Sequence, residues 1–265
     1  MSARPLLRLH GITVGYGGRT VLDGIDLTLD AGDRLAVTGG NGTGKTTLLH
    51  TIVGLLPTAA GRIEILGRPC RNESDFAKIR PMVGLLFQDA DDQLFCPTVL
   101  EDVAFGPLNL GRSRKEAIRI AERTLESLGI AALADRVTHR LSGGEKKLVS
   151  LATVLAMEPR ILLLDEPTNG VDRDGRERLT ALLEALPQAL ILVSHETDLI
   201  EHLSTRILVM KDGHLLPAEI HDHAHVHRHG HVHPREGSGD GTVHLGEAET
   251  AHDRHEHPED GPRLT

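Results

Sequence analysis

The nine residues Gly39-Gly40-Asn41-Gly42-Thr43-Gly44-Lys45-Thr46-Thr47 constrain this chain more than any other stretch. They fit G-x-x-x-x-G-K-[ST], a loop that cradles phosphate when a strand leads in and a helix leads out. Both flanks are present. Leu35 to Thr38 reads as a short buried strand, and an apolar helical pattern begins near Lys45. Glycines let successive backbone N–H groups turn inward, a geometry that a Cβ would block. The helix N-terminus adds partial positive charge. Lys45 can reach β- and γ-phosphates, and the Thr46 hydroxyl can serve Mg²⁺. A glycine-rich turn before an ordinary helix would not need the lysine and threonine in register.

With 265 residues the chain can bury one substantial core, or one core with a subdomain. No window approaches the roughly 18 consecutive apolar residues of a membrane span. Met1 to Leu9 lacks an apolar signal core, so a cytosolic chain is expected. The two cysteines, Cys70 and Cys96, form no metal-type pair and no disulfide framework. A net charge of −9 argues against nucleic acid as a partner held by bulk charge. That charge is uneven. From His214 onward there are ten acidic residues against four arginines and no lysine, and twelve of the 17 histidines. The break near Pro217 divides residues 1–217, which alternate strand and helix patterns, from 218–265. The second segment has too few apolar residues to offset ordering entropy and reads as a disordered, acidic, His-rich tail.

Within 1–217, residues 6–14 and 21–29 alternate apolar and polar as half-buried strands do. Arg62 to Leu66 and Val83 to Phe87 are further strands. Ser113-x-x-Glu116 is a capping box, followed by Ile118, Ala121, Leu125 and Leu128 at helical spacing, with Gly129 as the stop. A helical subdomain is expected over approximately 98–157. Ile161 to Leu164 and Leu190 to Val193 are continuous apolar runs, expected as central parallel strands covered on both faces.

The first of those runs ends in Asp165-Glu166. Two carboxylates at the C-terminal edge of such a sheet stand where its ligands bind. Asp165 would hold Mg²⁺, directly or through water, and Glu166 would polarise an attacking water. Leu141-Ser142-Gly143-Gly144-Glu145 precedes a helical pattern, Lys146 to Met157, and offers a second anion site at a helix N-terminus. One nucleotide does not need two phosphate cradles from the same chain. Two chains facing head to tail would let each cradle close on the other's nucleotide.

Taken in order, the phosphate loop, LSGGE, LLLDE and a histidine after the next strand resemble the nucleotide-binding subunit of an ATP-binding-cassette (ABC) transporter, over roughly residues 5–216. The resemblance implies an α/β fold of the P-loop NTPase type: a RecA-like parallel-sheet core, an antiparallel β subdomain and a helical subdomain. It implies ATP and Mg²⁺ as ligands and ATP hydrolysis as the activity. Gln88 would touch Mg²⁺ and water and contact the membrane partner. Asn169-Gly170-Val171-Asp172 would cross the dimer interface. His195 would contact the γ-phosphate, and Tyr16, the only tyrosine, would stack on adenine. The implied catalytic set is Glu166, His195, Gln88 and Lys45, with Thr46, Gln88 and Asp165 around Mg²⁺. The nucleotide would be held by Tyr16, by residues Gly39 to Thr47, and by Ser142, Gly143, Gly144 and Glu145. Two residues depart from the family: Glu145 stands where glutamine is commoner, and Leu148 where an arginine is frequent.

The stretch Asp89-Ala90-Asp91-Asp92-Gln93-Leu94-Phe95-Cys96-Pro97-Thr98-Val99, with Glu101 to Pro107 after it, resembles the ATPase of energy-coupling-factor importers. That resemblance implies a transmembrane coupling protein and a substrate-binding membrane protein as partners, at the cytoplasmic face of the membrane. In the tail, His221, His223, His225, His227, His229, His231 and His233 recur every second residue, followed by His244, His252, His255 and His257. Imidazole suits Ni, Co, Cu and Zn, and a flexible tract can wrap several around one ion. A local buffer of Ni²⁺, Co²⁺ or Zn²⁺ is expected, pointing to the nickel/cobalt branch. A homodimer with two competent sites is the simplest assembly. The alternatives are an importer of another substrate, a non-transport ABC ATPase, and a metal-storage protein.

Overall fold

A computed structural model describes residues 4–220. The tail histidines expected as metal ligands, His221 to His233, and those after them lie outside the described residues.

Two sheets organise the chain. The smaller is antiparallel, in the order β2-β1-β4-β5, built from β1 (Leu7–Tyr16), β2 (Arg19–Leu29), β4 (Ala60–Ile65) and β5 (Arg68–Cys70). The larger has the order β10-β9-β3-β8-β7-β6. Its strands β3 (Arg34–Thr38), β6 (Val83–Leu86), β7 (Ile161–Asp165), β8 (Ala189–Val193) and β9 (Arg206–Lys211) pair in parallel, and only β10 (His214–Ala218) is antiparallel to its neighbour. This is the expected α/β architecture.

The central strands β7 and β8 are buried along their whole length, and their side chains are apolar up to Asp165 because both of their faces are covered. Successive side chains of a strand point to opposite faces. Ile161 and Leu163 of β7, with Ile191 of β8, join the core shared with the antiparallel sheet and with α1 (Lys45–Ile52). Leu162, Leu164, Leu190 and Leu192 join a second core with the helices α3 (Val99–Asn109), α4 (Arg114–Ser127), α5 (Gly143–Leu155) and α6 (Arg173–Glu184). Truncating a fully buried leucine here, such as Leu163→Ala, is expected to cost about 2–5 kcal/mol.

Helices α3 to α5 form the helical block expected over 98–157. Both sequence-visible start signals hold: Ser113 and Ser142 close reciprocal capping boxes with Glu116 and Glu145, and Thr98 does so with Glu101. Two short elements, β5 and α2 (Glu73–Ile79), and the β9–β10 hairpin carry weaker sequence signals. The last of these moves a boundary. Pro217 lies inside β10, an edge strand, where a missing N–H is tolerated. Ile220 still packs on the second core. The ordered unit therefore extends past 217 to at least 220.

Candidate functional site

The phosphate loop sits between the end of β3 and the start of α1. Its backbone is one that only glycine accepts at the tightest point. Gly39 has φ +136°, and a Cβ there would collide with the Met210 carbonyl oxygen. The Lys45 side chain is buried, and its Nζ donates to the carbonyls of Gly39 at 2.8 Å and Gly40 at 2.9 Å. The ammonium is thus held over the loop's own curve. Thr43 Oγ1 donates to Gly40 O at 2.9 Å, which stiffens the same turn. Val21 and Leu22 of β2 contact the loop at Gly44. They belong to the hairpin whose tip pairs Tyr16 with Arg19, so the half-exposed Tyr16 ring stands at the loop's end of the antiparallel sheet.

Strand β7 delivers Asp165 beside Thr46. Asp165 is buried, and its Oδ1 has no hydrogen-bond partner. Burial raises its pKa above the usual carboxylate range, with the Thr46 hydroxyl opposing. Thr46, Gln88, Asp89, Asp165, Gly143 and Lys147 line one recess of about 550 Å³. An orphaned buried carboxylate oxygen beside a threonine hydroxyl and a glutamine is a hard-oxygen donor set, and Mg²⁺ fits it.

Glu166 follows on a left-handed backbone, φ +44°. That conformation costs a non-glycine residue roughly 1–3 kcal/mol and persists where surrounding structure fixes it. Here its N–H donates to Val193 O at 2.9 Å and its carbonyl accepts from Asn169 N at 3.1 Å. The side chain is nearly buried. Its Oε1 lies 3.0 Å from His195 Nδ1, while its Oε2 is unpartnered. His195 is mostly exposed, so the ring spans from the buried carboxylate to the surface.

The second cradle opens α5. Ser142 Oγ accepts from Glu145 N at 3.3 Å, and Glu145 Oε2 accepts from Ser142 N at 2.8 Å. Glu145 Oε1 is taken by Arg136 at 2.9 Å. Both Glu145 oxygens are therefore engaged within the chain, and its carboxylate holds Ser142. The Ser142 amide lowers the Glu145 pKa, with the Arg136 charge helping. Gly143 rests against the expected interface loop: a Cβ on it would meet Gly170 O at 2.9 Å.

Sequence reading brought together Lys45, Thr46, Gln88, Asp165, Glu166 and His195, and the structure gathers all six. It missed the residues that hold them. Glu196 accepts from Thr168 Oγ1 at 2.8 Å and from Arg176 at 3.0 Å, joining the segment after Glu166 to the segment after His195. Lys147 and Gln93 fasten the Gln88 loop. Lys147 is a buried lysine, brought down to about 8 by burial although Asp165, Asp89 and Glu166 pull it up. Only its place one turn inside a helix of otherwise apolar rhythm could have marked it.

Known proteins agree with this geometry. Residues 22–169 match the ABC transporter family. A protein of Brucella suis biovar 1 (strain 1330), assigned as an ABC transporter ATP-binding protein, is 57% identical over 221 residues, 83% of this chain and 92% of that one. The cobalt import ATP-binding protein CbiO of Rhodobacter capsulatus is 44% identical over 218 residues, 80% of this chain and 78% of that one. Among solved structures, CbiO1 from Clostridium perfringens, part of the ABC transporter complex CbiONQ, aligns with a TM-score of 0.73 at 35% identity, over 81% of this chain and 88% of that one. The chain belongs to the ABC transporter ATP-binding family, and it binds and hydrolyses ATP. Among the described residues, no helix is long and apolar enough to cross a membrane.

Proposed function

We propose that this ATPase powers import of nickel or cobalt as the energising subunit of an energy-coupling-factor transporter. The observation that carries the ion class is the likeness to the cobalt import protein across nearly the whole ATPase domain. The His-rich tail supports it, since alternating imidazoles suit these ions. The chain works as a homodimer at the cytoplasmic face of the membrane, with a transmembrane coupling protein and a substrate-binding membrane protein.

The site residues take the following roles. Amides of Gly40 to Lys45 and the Lys45 ammonium hold the β- and γ-phosphates, and Tyr16 stacks on the base. Thr46, Gln88 and Asp165 would hold Mg²⁺, which when bound would neutralise negative charge on the nucleotide's phosphates. Glu166 Oε2 accepts a proton from the attacking water as its oxygen bonds the γ-phosphorus. The bond from that phosphorus to the bridging oxygen breaks, and ADP leaves. His195 steadies the Glu166 carboxylate through their 3.0 Å contact and reaches the γ-phosphate from the exposed side. Ser142 and the amides of Gly143 and Gly144 meet the nucleotide bound by the partner protomer. Glu145 fixes Ser142 for that contact.

This chain carries a surface that suits a coupling protein. A recess of about 760 Å³ lies beside the Gln88 loop and the helical block. Exposed Leu55, Phe95, Phe105 and Leu110 rim it, with Phe95 and Phe105 packed edge to face at 4.7 Å. Such an apolar rim suits the nonpolar side of a short amphipathic helix.

Co-expression with the neighbouring membrane subunits and measurement of ion accumulation tests the reading. Nickel or cobalt uptake that disappears with Glu166→Gln is expected. ATP-dependent uptake of another substrate, and of neither metal, would overturn the ion class and leave the ATPase intact.

A further inference from the structure

Phe87 and Gln88 follow the last residue of β6, at the joint between the parallel sheet and the helical block. Their backbone is fastened to α5 from both sides. Lys147 Nζ donates to Phe87 O at 3.0 Å and to Gln88 O at 2.7 Å. Gln93 Oε1 accepts from Phe87 N at 3.2 Å. The Gln93 amide then donates to Ser150 O and Thr153 Oγ1 of α5, both at 2.8 Å. Lys146 pairs with Asp91 further along the same loop. The helix that receives these bonds is the one whose first turn is the Ser142 cradle.

Lys147 is an expensive way to fill space. It is only 3% exposed, and a buried ammonium carries a desolvation cost that a methionine of similar length would not. What the ammonium adds is several donors that converge on two carbonyls of one bend, beside the carboxylates of Asp89, Asp165 and Glu166. The linkage is therefore directional. A shift of α5 moves the Phe87 and Gln88 carbonyls with it.

We propose that Lys147, backed by Gln93, is a positioning residue that ties the cross-protomer cradle to Gln88. Nucleotide of the partner protomer, seated on Ser142 to Gly144, thereby sets the position of Gln88 at this chain's own Mg²⁺ and water. The two sites of the dimer become coupled through each α5. This rests on the reading above, in which Gln88 serves the site and the cradle acts across the dimer.

The test is steady-state ATP hydrolysis by full-length Lys147→Met, with trinitrophenyl-ATP binding measured in parallel. Monomer affinity for the probe should stay within about twofold of wild type. The kcat should fall roughly ten- to a hundredfold, the range that misplacement of a reacting group produces. The Hill coefficient for ATP should fall to about 1, since coupling between sites is lost. Lys147→Arg should restore much of both, and Gln93→Leu should reproduce the defect if Lys147→Met does not fold. Wild-type kcat and cooperativity in both Lys147→Met and Gln93→Leu would overturn the proposal. So would a slow Lys147→Met with full cooperativity, which is the signature of a packing defect. Gln88→Ala separates the two levels. If Gln88→Ala is impaired while the Lys147 and Gln93 variants are normal, only the linkage fails. If Gln88→Ala turns over normally, the role given to Gln88 fails and the linkage with it.

Discussion

The chain holds two glycine-rich helix starts with opposite endowments. The one before α1 has a lysine over its curve, a threonine hydroxyl at its first turn, and the carboxylates of Asp165 and Glu166 beside it. The one before α5 has amides and a serine, and its nearest carboxylate, Glu145, is already committed to Ser142 and Arg136. The first can bind a nucleotide and assemble the groups that cleave it. The second can only receive an anion that something else brings. In the proposed homodimer, one complete cradle and one incomplete one per chain would make each chain half of a two-site machine, and the incomplete half would read the presence of a partner.

Breaking the complete cradle should have the largest effect. Glu166→Gln keeps the shape of the side chain and removes its proton-accepting charge. ATP hydrolysis should fall about 10²- to 10⁴-fold, the range of general-base contributions, with ATP affinity preserved. Phosphate-release kinetics beside equilibrium nucleotide binding check this. Turnover near the wild-type rate would remove Glu166 from the chemical step.

A smaller effect should sharpen the role of the second cradle. Glu145→Ala removes the reciprocal cap on Ser142 and frees Arg136. Such a capping element contributes about 1 kcal/mol. Hydrolysis should drop by less than roughly tenfold, the factor that about 1.4 kcal/mol represents, through weaker dimer closure. Monomer affinity for ATP should not change. If monomer affinity falls instead, the two cradles are not separable.

The smallest effect on hydrolysis should come from removing residues 221–265, which contribute no residue to either cradle. The truncated chain should keep its ATPase rate. Full-length protein should bind more than one Ni²⁺, Co²⁺ or Zn²⁺, and the truncated chain should not. Binding should weaken as pH falls through about 6.5, because a protonated imidazole has no lone pair for a metal. Isothermal titration of both forms at pH 7.5 and 5.5 reads this out. The cut belongs after Ile220, since β10 runs to Ala218 and Ile220 packs on the core.

How legible each region was in the sequence follows from how local its geometry is. The phosphate loop, the capping boxes at Ser113 and Ser142, and the two-faced strands at Ile161 and Leu190 are set by neighbours within a few positions. Periodicity and turn chemistry expose them. The bonds of Lys147 to Phe87 and Gln88 join residues about 60 positions apart, and those of Glu196 to Thr168 and Arg176 join residues 28 and 20 apart. No pattern along the chain marks such partners. The boundary expected near Pro217 falls inside β10 for a related reason. Composition set the boundary near Pro217, and composition does not register a short edge strand, where a proline's missing N–H is tolerated.

The central claim is that the α5 cradle acts on a nucleotide held by another copy of the chain. Ser142→Arg in the Glu166→Gln background tests it most directly, because the base substitution slows release of any ATP-bound dimer and the arginine fills the space where the partner's γ-phosphate must dock. Light scattering with ATP and Mg²⁺ should show a dimer for Glu166→Gln alone and a monomer for the double variant. Nucleotide binding to the monomer should be nearly intact. A normal ATP-dependent dimer of the double variant would contradict the claim, because the cradle would then have no part in the interface.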